Sequence, residues 1–367
     1  MRVFQVPGRV NLIGEHTDYN DGFVMPAAID LFTRIEVTAR PGRRLSVFSE
    51  QFSESVEFDL NRPRFREPRH WSGYVLAAAM ALEKQGIRLQ GAQLRIHSEV
   101  PIGAGLSSSA ALEVATVRAL LENSGIAMEA ADVARTSQRA ENDFMQTGCG
   151  IMDPFAVCCG RAGSAILLDC RSLTYRLVPL PESVCMVVSN TMIRRELAGV
   201  AYNERRSECE TGARIMAGVL PHLRALRDIS LHDLTRSVQR LPEEIYRRCR
   251  HVVSENARVI EAAAALENGD VTRVGELMDE SHRSLRDDFQ VSCDELDLLV
   301  DLARTLPGVY GTRMTGAGFG GCTVSLVQPA NVEEFRYAVV EGYRRVTGRV
   351  PDIYVCSAAD GERELSG

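Results

Sequence analysis

The segment Pro101-Ile-Gly-Ala-Gly-Leu-Ser-Ser-Ser-Ala110 sets glycines and serines where a strand-like pattern gives way to a helix-like one. Gly103 and Gly105 permit torsions and close backbone approach that a Cβ forbids. Ser107, Ser108 and Ser109 are natural N-caps, and a helix start offers free N–H groups and a partial positive charge. The run Gly103-Ala104-Gly105-Leu106-Ser107-Ser108-Ser109 is thus a candidate phosphate cradle; a serine-capped tight turn is the structural alternative. No G-K-[S/T] follows, so this is not a Walker A loop, and Ser108 stands where a dinucleotide fingerprint has its third glycine.

Three further segments carry chemistry. Gly8-Arg-Val-Asn-Leu-Ile-Gly-Glu-His-Thr-Asp-Tyr19 packs Arg9, Glu15, His16 and Asp18 between glycines with little apolar pattern. Carboxylates beside an imidazole accept from several sugar hydroxyls at once, and arginine offers a charged fork to a phosphoryl oxygen. A solvated polar loop would look the same; a metal site there would lack a completing histidine-rich segment. In the helical pattern that follows Ala131, Glu141 falls on the apolar stripe of Ala134, Ser137, Ala140, Phe144 and Met145. An inward carboxylate needs a partner, either an arginine or a cation such as Mg²⁺, which accepts one or two carboxylates plus phosphate. Asp153 follows in the glycine-broken loop Gly148–Pro154, placed for a base or for an Asx turn. Gly311–Cys322 supplies a second glycine-rich stretch, either a wall over nucleotide and sugar or a hairpin connection.

The elements that position these segments alternate. Strands are expected at Ile35–Ala39, Leu45–Phe48 and Ala92–Val100, with Leu94, Ile96, Ser98 and Val100 on one face. Helices are expected at Trp71–Lys84, Ala110–Glu122 and Ala130–Gln146, then at Ser207–Val219, Tyr246–Glu267, Val271–Arg286 and Asp294–Thr305. A strand at Cys322–Val327, a helix at Val332–Val346 and a strand at Ile353–Val355 close the chain. The fold class is α+β with mixed sheets. With 367 residues two domains are expected, 1–180 and 181–367, parted in 175–190 where Pro179 and Pro181 break the pattern.

Composition excludes several classes. A net charge of −7 argues against a general nucleic-acid or anionic-membrane binder. No uncharged apolar run approaches the roughly 18 residues that span a bilayer. The start MRVFQVPGRVNLIGEH has no apolar signal-peptide core, so a cytoplasmic location is expected. Ten cysteines without a C-x-x-C pair read as reduced thiols. All 42 basic residues except Lys84 are arginine, and Lys84 sits near an expected helix end, so Schiff-base and Walker-lysine mechanisms drop out.

Taken together, Gly8–Gly22, Pro101–Ala111, Cys149–Asp153, Ala201–Glu210 and Thr315–Gly321 resemble, in order and spacing, the bacterial galactose-phosphorylating branch of the GHMP small-molecule kinase family. The resemblance covers nearly the whole chain. It implies a two-domain GHMP kinase fold: an amino-terminal mixed β-sheet with helices, a carboxy-terminal α/β domain whose last strand pairs back, and a cleft site between them. Carried over by position, Arg9 and Asp153 are the expected catalytic pair. Glu15, His16, Asp18, Gly150, Asp153 and Tyr202 are the expected sugar-binding residues. ATP is expected to meet Trp71, Tyr74 and the run Gly103–Ser109, with Ser109 and Glu141 on Mg²⁺.

The implied reaction is transfer of the γ-phosphoryl group of ATP to the anomeric hydroxyl of α-D-galactose by a monomer, with Asp153 as general base and Arg9 as electrostatic stabiliser. A sugar 1-kinase for N-acetylgalactosamine or L-arabinose is the neighbouring reading, and a non-catalytic galactose sensor the distant one. Three departures from the family pattern stand out. Pro154 follows Asp153, Ala317 replaces a glycine that negative φ would make dispensable, and the arm before Arg9 is short.

Overall fold

A computed structural model describes residues 1–67, 70–193 and 198–365. The first half contains β1 (Arg2–Asn11), β2 (Phe23–Val24), β3 (Pro26–Ala39), β4 (Arg44–Ser49), β5 (Glu54–Asp59), α1 (Trp71–Lys84), β6 (Ala92–Ser98), α2 (Ser108–Asn123), α3 (Ala130–Phe144), α4 (Met152–Cys159), β7 (Ser164–Asp169) and β8 (Tyr175–Pro179). The second contains β9 (Cys185–Asn190), α5 (Ala198–Ala217), α6 (Leu231–Arg236), α7 (Glu243–Glu267), α8 (Val271–Ser284), α9 (Asp294–Ala303), β10 (Val309–Thr315), β11 (Cys322–Val327), α10 (Val332–Thr347), β12 (Asp352–Cys356) and β13 (Arg363–Leu365). A π-helical turn, Leu285–Phe289, extends α8.

The strands form a six-stranded sheet in the order β13-β1-β3-β6-β4-β5, a four-stranded sheet β10-β11-β9-β12 and a three-stranded sheet β2-β7-β8. Among the described residues only β4 and β6 run parallel, so the large sheet is mixed. In β6 the period-2 alternation holds, with Ala92, Leu94 and Ile96 inward. β1 has no such alternation because it is covered on both faces, and its pairing with β3 shifts register at Pro7/Gly8. That shift marks where the chain turns Arg9 toward the cleft.

Two clusters explain the placement of the site. One packs the six-stranded sheet against α1, α2 and α4 through Phe4, Leu94, Val114, Leu121 and Phe155. The other joins Val10 of β1, Leu12 just after it and Ala27 of β3 to Val259 of α7, Leu277 of α8 and Val324 of β11. The carboxy-terminal end of β1 therefore lies in a core shared by both halves, and the segment that follows it, Leu12–Tyr19, emerges between them. β13 returns to pair with β1, Val3 opposite Leu365.

Several elements differ from expectation. Asp153 lies not in a loop but in the first turn of α4. Pro154 fits there because an amide hydrogen in the first turn has no intrahelical partner to lose. Helix α5 begins at Ala198, ahead of the expected Ser207; Gly199 weakens its first turn as a helical signal, and the polar run Asn203–Arg206 then carries no apolar stripe. Lys84 does end α1, and none of the ten cysteines forms a disulfide. Among the described residues no helix is long and apolar enough to cross a membrane.

Candidate active site

A cavity of about 590 Å³ opens between the halves. Its walls are the β1-to-β2 segment (Arg9, Glu15, His16, Asp18), the glycine–serine run before α2, the start of α4, Tyr202 of α5 and the glycine-rich Thr315–Gly321. All four chemistry-bearing segments thus meet at one place.

The Arg9 guanidinium, 3% exposed, grips the Asp153 carboxylate with two parallel hydrogen bonds, Nε to Oδ1 at 2.8 Å and Nη2 to Oδ2 at 2.5 Å. Its third arm, Nη1, donates to the Gly105 carbonyl at 2.6 Å, so one side chain ties β1, the phosphate run and α4 together. Ser107 takes the N-cap position of α2 but makes no capping bond with its side chain. Its φ is +61°, and its hydroxyl donates to Asp153 Oδ2 at 2.6 Å. The expectation of a serine cap is corrected here: the left-handed backbone swings that hydroxyl away from the helix and onto the acid. Gly103 and Gly105 have positive φ, as the loop requires.

Glu15, 1% exposed, stitches the halves together. Its Oε1 accepts from the Gly316 amide at 2.5 Å, and its Oε2 accepts from Asn11 Nδ2 and lies 3.4 Å from Arg313 Nη1. Burial pushes the Glu15 carboxyl up to about 7, against the pull of the Arg313 guanidinium. His16 sits at φ +64°, with Nε2 3.2 Å from the Ala317 carbonyl and Nδ1 2.9 Å from the Tyr19 hydroxyl. A carbonyl only accepts, so Nε2 carries the hydrogen and Nδ1 receives the phenol's. Burial lowers His16 to about 3, so the ring is neutral. Ala317 is not among the positive-φ residues, and its methyl is tolerated.

Asp18 accepts from the amides of Tyr19 and Met152 at 2.9 and 3.3 Å. Burial, and secondarily the charge of Asp153, raises it to about 6. A Cβ on Gly150 would stand 1.8 Å from Asp18 Oδ2, so that glycine is required by the acid beside it. The Tyr202 ring lies 5.5 Å from both His16 and Tyr19.

Glu141 and Ser109 face the cavity beneath the phosphate run. Burial, then the Asp153 charge, raises Glu141 to about 7, opposed by hydrogen bonds from Cys149 and Ser109. One helical turn on from Ser109, Glu113 is 1% exposed and its Oε1 has no hydrogen-bond partner among the described residues. Carboxylates short of counter-charge beside a serine hydroxyl suit a hard divalent cation. No cluster of three or more His, Cys, Asp or Glu side chains among the described residues forms a self-sufficient metal cage. Trp71 and Tyr74 are not among the cavity-lining residues; the Trp71 indole stacks 5.8 Å from Phe52 and donates to Glu54 at 2.8 Å.

The two glycine-rich stretches pack backbone to backbone: a Cβ on Gly316 would meet Gly105 O at 3.0 Å, and one on Gly321 would meet Ala104 O at 3.0 Å. Sequence reasoning missed Asn11, Arg313 and Glu255, which hold Glu15 and the Gly14 amide from beneath. Buried arginine on a strand is their one visible signal, because Arg313 interrupts an otherwise uncharged stretch.

The fold and the cleft define a small-molecule kinase of the GHMP type. Residues 73–161 match the GHMP kinases N terminal domain, residues 262–345 the GHMP kinases C terminal, and residues 2–39 the galactokinase galactose-binding signature. Galactokinase of Roseiflexus sp. (strain RS-1) is 49% identical over 98% of this chain and 92% of its own length. That of Chloroflexus aggregans is 48% identical over the same shares. The crystal structure of Lactococcus lactis galactokinase complexed with galactose has a TM-score of 0.96 at 37% identity, covering 99% of this chain and 95% of that one. Methanococcus jannaschii mevalonate kinase, at 19% identity and a TM-score of 0.69 over 98% of each chain, shares the fold. The chain belongs to the galactokinase family.

Proposed function

We propose that this enzyme transfers the γ-phosphoryl group of ATP to the anomeric hydroxyl of α-D-galactose, giving galactose 1-phosphate and ADP. The observation that carries this reading is the double hydrogen bond between Arg9 and Asp153 under the phosphate run. Phosphoryl transfer needs positioning and charge stabilisation more than covalent help.

Among the described residues, Asp153 Oδ2 already receives Arg9 and Ser107, whereas Oδ1 receives Arg9 Nε alone. Oδ1 therefore keeps an open lone pair for the sugar hydroxyl, and it takes the proton as the oxygen attacks. The remaining N–H groups of Arg9 point charge at the transferred group and the developing alkoxide. Asp18 retains acceptor capacity toward sugar hydroxyls. Glu15 and His16 have their polar atoms committed to protein partners, and they shape the sugar wall with Gly150 and Tyr202.

The amides of Gly103–Ser109 hold the phosphates, and an adenine reaching past the cavity lining would meet Trp71 and Tyr74, which lie outside it. Ser109 and Glu141 are the residues that would hold Mg²⁺. When bound, the ion neutralises charge on the phosphate oxygens.

An ADP-release assay over galactose, 2-deoxygalactose, galactosamine, N-acetylgalactosamine, glucose and L-arabinose tests the reading. Galactose is expected to give the highest kcat/KM. A higher value for N-acetylgalactosamine or L-arabinose would reassign the substrate, and retained galactose binding without ADP release would make the protein a sensor.

A further inference from the structure

Helix α5 reaches the cleft through a single turn, and that turn touches two loops of the opposite half at once. Tyr202 packs its ring on His16 and Tyr19 at the cavity wall. Its neighbour Asn203 accepts through Oδ1 from the Gly148 amide at 3.1 Å. One turn on, Arg206 Nη1 donates to the Gly148 carbonyl at 2.7 Å, while its Nε donates to Glu210 at 3.1 Å. The same guanidinium lies 6.0 Å over the Tyr19 ring. Both polar groups of one glycine are thus held from one face of α5, by side chains one turn apart. A Cβ at Gly148 would sit 3.0 Å from Asn203 Oδ1 and 3.2 Å from Arg206 Nη1.

Gly148 opens the short link that ends in Asp153. Its next residue is gripped from the other side, where Asn142 and Gln138 of α3 donate to the Cys149 carbonyl at 3.2 and 3.4 Å. Gly150 then abuts Asp18, and Met152 donates its amide to that same acid. Any slack at Gly148 is therefore passed to Asp18 and to the turn that carries Asp153.

We propose that Asn203 and Arg206 are positioning residues that couple the seating of Tyr202 on the sugar wall to the placement of Asp153. The proposal rests on the reading of Asp153 as the base. Asn203 is exposed and Arg206 half-buried, so neither fills the core. Their bonds cross the cleft from one half to the other, which is what distinguishes a geometric coupling from local stabilisation.

The test compares Asn203→Ala, Arg206→Ala, the double variant and Arg206→Lys in the full-length enzyme. The readouts are galactose kinetics, ATP affinity without sugar by calorimetry, and thermal midpoint. Arg206→Ala is expected to lose at least about 10-fold in kcat/KM for galactose, the scale of a charged hydrogen bond, and Asn203→Ala, whose bond is neutral on both sides, roughly 3- to 10-fold. ATP affinity should stay within about twofold of the parent and the midpoint within about 2 °C.

The double variant should lose less than the product of the singles, because both side chains hold one residue. Arg206→Lys, which keeps one donor for the Gly148 carbonyl, should recover part of the loss. Parent-like kcat/KM in both singles, multiplicative losses in the double variant, or losses that follow the thermal midpoint would overturn the coupling. Turnover retained by Asp153→Asn would instead overturn the reading beneath it.

Discussion

The Arg9 guanidinium and the Asp153 carboxylate, 144 positions apart, are joined by two parallel hydrogen bonds of 2.8 and 2.5 Å. A fork-to-fork pair fixes orientation as well as charge, because both planar groups must lie in register. It also leaves Oδ1 as the less encumbered oxygen, among the described residues, of an acid that lines the cavity. Arg9 is nearly inaccessible, whereas Asp153 keeps 30% of its side-chain surface. The cation is thus the fixed partner and the acid the one presented to substrate.

Ser107 is the second hand on that acid. Ser107→Ala removes the 2.6 Å hydrogen bond to Oδ2 while leaving the backbone amides of the phosphate run in place. The expected result is a fall in kcat of about 10-fold with the ATP KM changed by less than about twofold. Steady-state kinetics check it; a raised ATP KM with unchanged kcat would assign Ser107 to the phosphates alone.

Gly150→Ala should act through Asp18. The new methyl would stand 1.8 Å from Asp18 Oδ2, so the acid must leave its place. The galactose KM should rise by at least about 10-fold, with nucleotide affinity in the absence of sugar preserved. Isothermal calorimetry with each ligand separately checks the split.

Buried His251 gives a pH signature. Burial lowers it from 6.5 to about 4, with the nearby Arg258 charge adding to the effect and Glu255 opposing it. The unfolded chain takes up this proton near pH 6.5 and the folded one only near 4, so the contribution is complete above 6.5 and is lost as pH falls toward 4. The stability difference between the parent and His251→Gln should be largest near neutral pH and shrink across that window. Urea unfolding of both proteins at a series of pH values checks it. A difference that stays constant would contradict the neutral buried ring.

Glu141→Ala tests the cation. The Mg²⁺ concentration for half-maximal rate should rise at least about 10-fold. The thermal midpoint without nucleotide should not fall, because the buried Glu141 carboxyl carries a desolvation cost that alanine lacks. Rate measurements over a Mg²⁺ series, with a thermal scan of each protein, check both.

Much of the site was legible because its segments are local. The torsional needs of Gly103 and Gly105, the inward stripe position of Glu141 and the crowding of acids after Arg9 are properties of short windows. What stayed hidden comes from contacts between distant windows. No local pattern reveals that Ser107 turns to Asp153, that Arg313 reaches back to Glu15, or that Asn203 and Arg206 hold Gly148. Helix α4 was hidden for another reason: the glycines at 148 and 150 and the proline at 154 read as a break, yet they border or occupy its first turn. β1 was missed because a strand covered on both faces loses its alternation.

The most direct measurement is single-turnover phosphoryl transfer by Asp153→Asn with galactose and ATP at saturating concentrations, beside calorimetric galactose binding. Asparagine keeps the shape and can still accept from Ser107, but it cannot take the sugar proton. The expected result is galactose binding within a few-fold of the parent and a rate lower by roughly 10²–10⁴-fold or more. A rate within about tenfold of the parent would show that Asp153 is not the acceptor of that proton, and the Arg9–Asp153 account would fall with it.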